Sequence, residues 1–439
     1  MTASPVSRDE ARKFFEPLAR FPRVALAVSG GPDSVALLHL AASWREERGP
    51  GPDIGVLTVD HRLRVGSRDE ALLVGRLAAE RSLPHAILAW DSQEEGDTAL
   101  QARARAARYD LMAAHCHTHQ IPALVTAHHL DDQAETFFMR LKRGSGLDGL
   151  AAIPEEGAWA GIVLLRPLLE VPKARLVATL AEAGIPFATD PSNADPRFER
   201  ALLRASVEAL AKLGLSPEAI VLSVRRLRRA RLALDRAADA FLLKYGDMDE
   251  AGYASLDREA LVSAPQEIGL RGLSKLIAAV GGSAEPVRLA KLEALLEALL
   301  ANPDRAHTLG RCRIAPKGIV HKGSVSKGGR LFIFREVRAT GLPALSLAPG
   351  ERILWDNRFA IELGRAEPAP VTVKALGDWG VKELRMRSVL ADSLPRLAGR
   401  TLPSCWRGDE LLGIPVLGAA RSTRSQIRLD CRAIFVGKP

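Results

Sequence analysis

Val24-Ala25-Leu26-Ala27-Val28-Ser29-Gly30-Gly31-Pro32-Asp33-Ser34 is an apolar run of strand length that breaks abruptly into small residues. Val35-Ala36-Leu37-Leu38-His39-Leu40-Ala41 then reads as a helix. In a strand, loop, helix unit the N–H groups at the helix start have no intrahelical partner and face whatever occupies the loop, which makes an anion site. Gly30 and Gly31 let the backbone approach a tetrahedral group without a Cβ clash, and Ser29 and Ser34 add hydroxyl donors. A phosphate or pyrophosphate suits such a loop. It is not a Walker loop, because no Lys-Ser or Lys-Thr follows the glycines, and it is not a Gly-x-Gly-x-x-Gly turn. Read alone, it also allows a plain glycine turn between strand and helix.

Outward from this loop, as far as Leu168, short apolar runs alternate with helical patterns, which predicts an α/β fold: a doubly wound, mainly parallel sheet with helices on both faces. The runs cover residues 24–28, 54–59, 86–89, 123–127 and 162–165. Ligands of such a sheet bind beyond the carboxyl ends of its strands. Asp60, His61 and Arg62 follow the second run, and residues 128–136, His-His-Leu-Asp-Asp-Gln-Ala-Glu-Thr, follow the fourth. On a helix, His129, Asp132 and Glu135 recur every third residue and line one face near its start. Such a set can bind magnesium through oxygen or hold the ammonium groups of a cationic substrate; a solvated acidic first turn is the plainer reading. No third ligand with suitable spacing points to zinc. The helix continues through Phe137, Phe138 and Met139, read as core, to a basic end at Arg143 before Gly144, where a phosphate contact and ordinary C-capping are both open. Residues 101–109 form an alanine-rich helix on which Arg105 and Arg108 share a face and can reach an anion.

Ser29-Gly30-Gly31-Pro32-Asp33-Ser34 after an apolar strand resembles the Ser-Gly-Gly-x-Asp-Ser signature of the ATP pyrophosphatase (PP-loop) superfamily. Its members split ATP between the α and β phosphates, adenylate a substrate oxygen and hold the departing pyrophosphate in this loop. Taken in order with Ala104-Arg105-Ala106-Ala107-Arg108-Tyr109, residues 129–136, Arg143-Gly144-Ser145-Gly146 and Asp190-Pro191-Ser192-Asn193, the chain resembles the bacterial tRNA(Ile)-lysidine synthetases. The resemblance implies a first domain like the adenine nucleotide alpha hydrolases and a ligase that joins lysine to the wobble cytidine of the CAU anticodon of tRNA(Ile). ATP would adenylate the 2-carbonyl oxygen of that cytidine, and the lysine side-chain amine would displace AMP to give lysidine. The resemblance assigns Ser29, Gly30, Gly31, Pro32, Asp33 and Ser34 to ATP and pyrophosphate, and Arg108, Asp132 and Glu135 to the catalytic site where lysine and base meet. His61, Arg105, His129, Arg143, Arg200, Arg204, Arg225, Arg228 and Arg229 are candidates for substrate or RNA contact. Mg2+ would neutralise the phosphates, with Asp33 as its carboxylate partner. The family usually shows Arg-Asn where this chain has Arg200-Ala201, which weakens the case for Arg200. A tRNA 2-thiolation enzyme of the same superfamily, a small-molecule ligase and a catalytically silent tRNA-binding protein are the rival readings.

A length of 439 residues suggests about three domains, here 1–215 catalytic, 216–310 helical and tRNA-binding, and 311–439 a small α+β module for tRNA recognition. Residues 216–301 read as almost entirely helical, with Arg225, Arg228, Arg229 and Arg236 on one side of a helix. They are candidates for RNA phosphates, or else a solvated face paired with Asp235 and its neighbours. Beyond Cys312 short alternating runs predict strands, including Ile319-Val320 and residues 331–334, while Trp355 and Trp406 read as core. Segments 349–359 and 406–416 resemble, more loosely, the C-terminal domain of the longer synthetases. The formal charge of +9 favours a polyanionic partner. The four cysteines form no Cys-x-x-Cys pair, so reduced, buried thiols in a cytoplasm are expected. Residues 1–18 lack a signal-peptide core and no apolar run is long enough to cross a bilayer. Oligomeric state is not written in the sequence; a homodimer is open.

Overall fold

A computed structural model describes residues 3–60, 66–90, 100–188, 202–203, 206–283, 287–316, 329–337, 340–386, 390, 394–417 and 429–437. The chain forms two compact units, Met1–Arg231 and Leu232–Pro439, and the division falls within a single long helix, Pro217–Tyr245.

In the first unit every apolar run becomes a strand to within two residues. The strands are β1 (Arg23–Ala27), β2 (Asp53–Asp60), β3 (His85–Ala89), β4 (Ala123–Val125), β5 (Glu156–Trp159) and β6 (Ile162–Leu165). The helices of this unit include α1 (Arg8–Phe15), α2 (Pro32–Arg48), α3 (Ser67–Glu80), α4 (Leu100–Thr118), α5 (Leu130–Lys142), α6 (Leu147–Leu150) and α7 (Lys173–Glu182), with a short helix at Val207–Lys212 before the long one. The sheet order is β3-β2-β1-β4-β6-β5, parallel throughout except for β5. That last strand was hidden because Glu156-Gly157-Ala158-Trp159 carries no apolar run; it is made by a tight turn at Ala160 and Gly161, both at positive φ, that folds it back on β6.

Alternation along the strands divides the core. Val24 and Leu26 of β1 pack with Val35, Leu37 and Leu38 of α2 and Leu176 and Leu180 of α7 on one face. Ala25 packs with Tyr109, Met112 and Cys116 of α4 on the other. Strand order runs outward in opposite directions from β1 and β4, so the crevice between their carboxyl ends is where a doubly wound sheet takes its ligand. The loops after β1 and β4 carry the two motifs singled out above.

Among its described residues the second unit contains a five-stranded antiparallel sheet and two smaller antiparallel sheets, of four and of three strands. Strands β7 (Gly246–Asp249) and β8 (Tyr253–Asp257) interrupt the stretch expected to be helical. A hairpin bounded by Gly246 and Gly252, with Ala254 and Leu256 turned into the core, is too short to stand out among leucine-rich helices. The expected strand at residues 331–334 is part of a strand over Arg330–Arg335, and Ile319-Val320 lies outside the described residues. Trp355 and Trp406 are buried, as expected. All four cysteines are free and buried, and the fold brings Cys405 and Cys431 together with sulfurs 3.5 Å apart.

Candidate active site

The loop after β1 is shaped by its own side chains. Ser29 N–H donates to Ser34 Oγ at 3.1 Å, and the Ser34 hydroxyl donates to the Gly31 carbonyl at 3.0 Å. Ser34 therefore spends its hydroxyl proton closing the loop, while Ser29 is exposed. The two glycines have different reasons to be there. Gly30 sits at φ +92°, and a Cβ on it would lie 3.3 Å from Cβ of Glu70 on α3, so the protein's own backbone requires it. At Gly31, among the described residues, the nearest atom a Cβ would meet is Ser29 Oγ at 4.0 Å, so these leave open space above it. Gly31 is the N-cap of α2 and Pro32 its first residue, which leaves the first N–H groups of α2 facing that space. Thr58 of β2 donates to the carbonyl of Val28 at 2.8 Å and so fixes the strand end from which the loop departs.

Helix α5 starts on the other side of the crevice with His129 as N-cap, whose N–H donates to Asp132 Oδ2 at 3.0 Å. The helical period predicted that His129, Asp132 and Glu135 share a face, and all three side chains are buried. The His129 ring lies among three carboxylates: Nε2 is 3.5 Å from Asp33 Oδ2 and 3.5 Å from Asp132 Oδ2, and Nδ1 is 3.5 Å from Asp131 Oδ2. Burial alone would lower its pKa, but Asp131 and Asp33, reinforced by the charge of Asp132, override that and push it up to about 10. Burial would raise the carboxyls of Asp33 and Asp131; His129, with Lys173 beside each, instead holds both below the usual carboxylate range. His129 is thus a fixed imidazolium that ties the loop of α2 to the start of α5.

Sequence reasoning missed two members of this cluster. Lys173, the first residue of α7, places Nζ 3.2 Å from Asp33 Oδ2, and its N–H donates to Asp131 Oδ2 at 2.8 Å. Asp131 had been noted only as a motif letter, yet it caps α7. The available signal was Pro172 before Lys173, a helix-start pattern following the apolar segment that ends at Val171. The starts of α2, α5 and α7 therefore converge, and the positive ends of their dipoles favour the carboxylates gathered there.

A cavity of about 170 Å³ opens beside the cluster, lined at one end by His129, Asp131, Glu135 and Lys173 and walled by apolar side chains including Phe138 and Leu210. Among the described residues the carboxylates Asp33, Asp131 and Asp132 gather around the cations His129 and Lys173, and Glu135 lines the cavity beside them. An acidic end on an apolar slot matches an ammonium group carried on an alkyl chain.

The other sequence-selected residues are placed as follows. Arg108 on α4 and Arg143 at the end of α5 are exposed. His61, Arg200 and Arg204 lie outside the described residues, as does the side chain of Arg105. On the long helix, Arg225 pairs with Glu170 at 2.7 Å and Arg228 with Glu155 at 2.9 Å; Arg225, Arg226 and Arg229 are exposed and Arg228 is half-buried. Among the described residues no helix is long and apolar enough to cross a membrane.

Comparison with known proteins bears on this site directly. Residues 4–210 match the family model of the PP-loop domain. The tRNA(Ile)-lysidine synthase of Rhodopseudomonas palustris is 46% identical over 295 residues, 67% of this chain and 85% of that one. That of Ruegeria pomeroyi is 34% identical over 416 residues, 92% of this chain and 91% of that one. Among solved structures, the U34-tRNA thiolase NcsA from Methanococcus maripaludis is 17% identical with a TM-score of 0.42, over 50% of this chain and 78% of that one, a likeness too partial to bear on activity.

Proposed function

The chain belongs to the tRNA(Ile)-lysidine synthase family, and we propose that it carries out the reaction that name describes. It uses ATP to attach L-lysine to the 2-position of the wobble cytidine in the CAU anticodon of tRNA(Ile), releasing AMP and pyrophosphate in the cytoplasm. In this reading the triphosphate lies over Gly31, on the open N–H groups of α2. The cytidine 2-oxygen attacks the α phosphorus, the bond to the bridging oxygen breaks, and pyrophosphate leaves. The lysine side-chain amine, freed of a proton, then attacks C2 and AMP departs with the oxygen. Holding one anticodon base out of its loop costs little in a single-stranded region.

The observation that carries the reading is the joint between the two motifs: the phosphate loop and an acidic, alkyl-lined cavity share the cluster around His129. Glu135 faces that cavity and Asp132 starts the same helix face, so either carboxylate can orient the amine or take its proton. Arg108 remains assigned to this site through the family motif alone. Mg2+ would be held by Asp33, whose Oδ1 is buried without a hydrogen-bond partner, and by phosphate oxygens, and it would supply charge neutralisation there. The thiolation rival needs a reactive sulfur near the sheet; the first unit's one cysteine, Cys116, is buried on α4 and its thiol is pushed up to about 11 by that burial.

Incubating the protein with ATP, Mg2+, labelled L-lysine and a CAU-anticodon tRNA(Ile) tests the proposal. Label should enter the tRNA with one AMP and one pyrophosphate per lysine. Absence of transfer, or transfer that does not need ATP, would overturn it.

A further inference from the structure

We propose that Lys173 is a catalytic residue: it supplies the cation that holds the departing pyrophosphate, taking the place of the lysine that this phosphate loop lacks. The inference rests on the adenylation reading above.

The backbone of Lys173 is fixed on the far side of the crevice. Its N–H donates to Asp131 Oδ2 at 2.8 Å, and two residues earlier the Val171 carbonyl accepts from Leu130 N–H at 3.0 Å. Both bonds lock the start of α7 to the start of α5. From that origin the side chain crosses to α2 and rests 3.2 Å from Asp33, two residues beyond Gly31. Its side chain is 41% exposed, and an ion pair so open to solvent contributes little to folding. A structural reason for a lysine here is therefore weak.

Among the described residues two cations touch the acid of the loop, and they differ in freedom. His129 is 3% exposed and hemmed in by three carboxylates, so it stays where it is. Lys173 carries a compact charge on a flexible four-carbon stem, with the cavity and the open space above Gly31 before it. When a triphosphate occupies the loop, the ammonium can exchange the Asp33 oxygen for a phosphate oxygen.

The chemistry needs such a group. As the bond from the cytidine 2-oxygen to the α phosphorus forms, the bond from that phosphorus to the bridging oxygen breaks. The electron pair stays on the bridging oxygen and leaves with pyrophosphate. Beside the N–H groups of α2, a positioned cation that meets that charge as it develops lowers the barrier. Lys173 transfers no proton; its ammonium pairs with the charge.

The test compares the full-length protein with Lys173→Met and Lys173→Arg. Binding of inorganic pyrophosphate is followed by calorimetry, and exchange of labelled pyrophosphate into ATP is measured with tRNA(Ile) but no lysine. Lys173→Met should weaken pyrophosphate binding and slow exchange by roughly 10- to 100-fold, the worth of one charge-assisted hydrogen bond. Lys173→Arg should keep most of both, and the melting temperature should hardly move. Lys173→Gln stands in if the Met variant fails to fold. Neutral variants that bind pyrophosphate within twofold of wild type would overturn the proposal. If wild type binds pyrophosphate but makes no lysidine, the functional reading fails while the binding comparison still decides the role of Lys173.

Discussion

Replacing His129 by asparagine removes the imidazolium that stands between Asp33, Asp131 and Asp132. In the folded chain the carboxylates outweigh burial and push this ring up to about 10, against an ordinary value of 6.5. The folded state therefore binds the proton more tightly than the unfolded one. The stabilisation is fully present below about pH 6.5 and is lost as pH rises towards 10. In between it falls by about 1.4 kcal/mol per pH unit, so His129 should cost wild type about 2 to 3 kcal/mol between pH 7 and pH 9. At pH 7 the variant leaves three carboxylates without their shared cation, and loss of one partner from a buried ionic group costs about 3 to 5 kcal/mol. Urea unfolding followed by fluorescence of Trp44, buried in the core of the first unit, gives the stability of both proteins at both pH values. Titrating groups away from this cluster are common to the pair and cancel in the difference, and the cluster's carboxylates titrate on the acid side of this pH range. The gap between wild type and His129→Asn should shrink by about 2 to 3 kcal/mol on going to pH 9. A gap that is constant or widens would refute the view of His129 as a fixed charge. On the acid side the sign reverses: Asp33 and Asp131 are held below 3.8, so their contribution is present above that value and is lost as pH falls through their folded pKa values.

The two loop glycines should separate cleanly. Gly30→Ala places a side chain at φ +92° against Glu70 and should lower stability by about 1 to 2 kcal/mol in thermal unfolding, whereas Gly31→Ala should fold normally and raise KM for ATP. In the second unit Asp356 accepts from the guanidinium groups of both Arg335 and Arg358, and Arg358 is 0% exposed. Asp356→Asn should therefore cost about 3 to 5 kcal/mol in urea unfolding monitored at that unit. Exchanging the exposed Arg226 and Arg229 for glutamate should weaken tRNA binding and lower its salt dependence by about one unit of log–log slope per residue; an unchanged slope would remove these two from the RNA interface.

What the sequence disclosed follows the range of the forces involved. The phosphate loop was legible because strand, glycines and Pro32 are neighbours in the chain, and so was the shared face of His129, Asp132 and Glu135, which needs only the helical period. The strand order was legible as far as a parallel sheet, but β5 escaped because a turn at Ala160 and Gly161, not apolarity, makes it a strand. Lys173 escaped because it meets Asp33 across 140 residues of chain, through hydrogen bonds that pin α7 to α5. Arg225 and Arg228 looked equivalent to Arg229 on a helical projection. Only packing reveals that Glu170 and Glu155 face the first two; Arg228 is partly covered there, while Arg225 stays 49% exposed. Ser34 looked like a ligand donor and proves to be the staple of the loop.

The central claim is that the cytidine 2-oxygen is adenylated and leaves with AMP. A tRNA(Ile) carrying oxygen-18 at that carbonyl, converted with ATP and lysine, tests it in one mass spectrum of the released AMP. AMP that carries the heavy oxygen is the predicted result; heavy oxygen retained in the tRNA or found in pyrophosphate would contradict it.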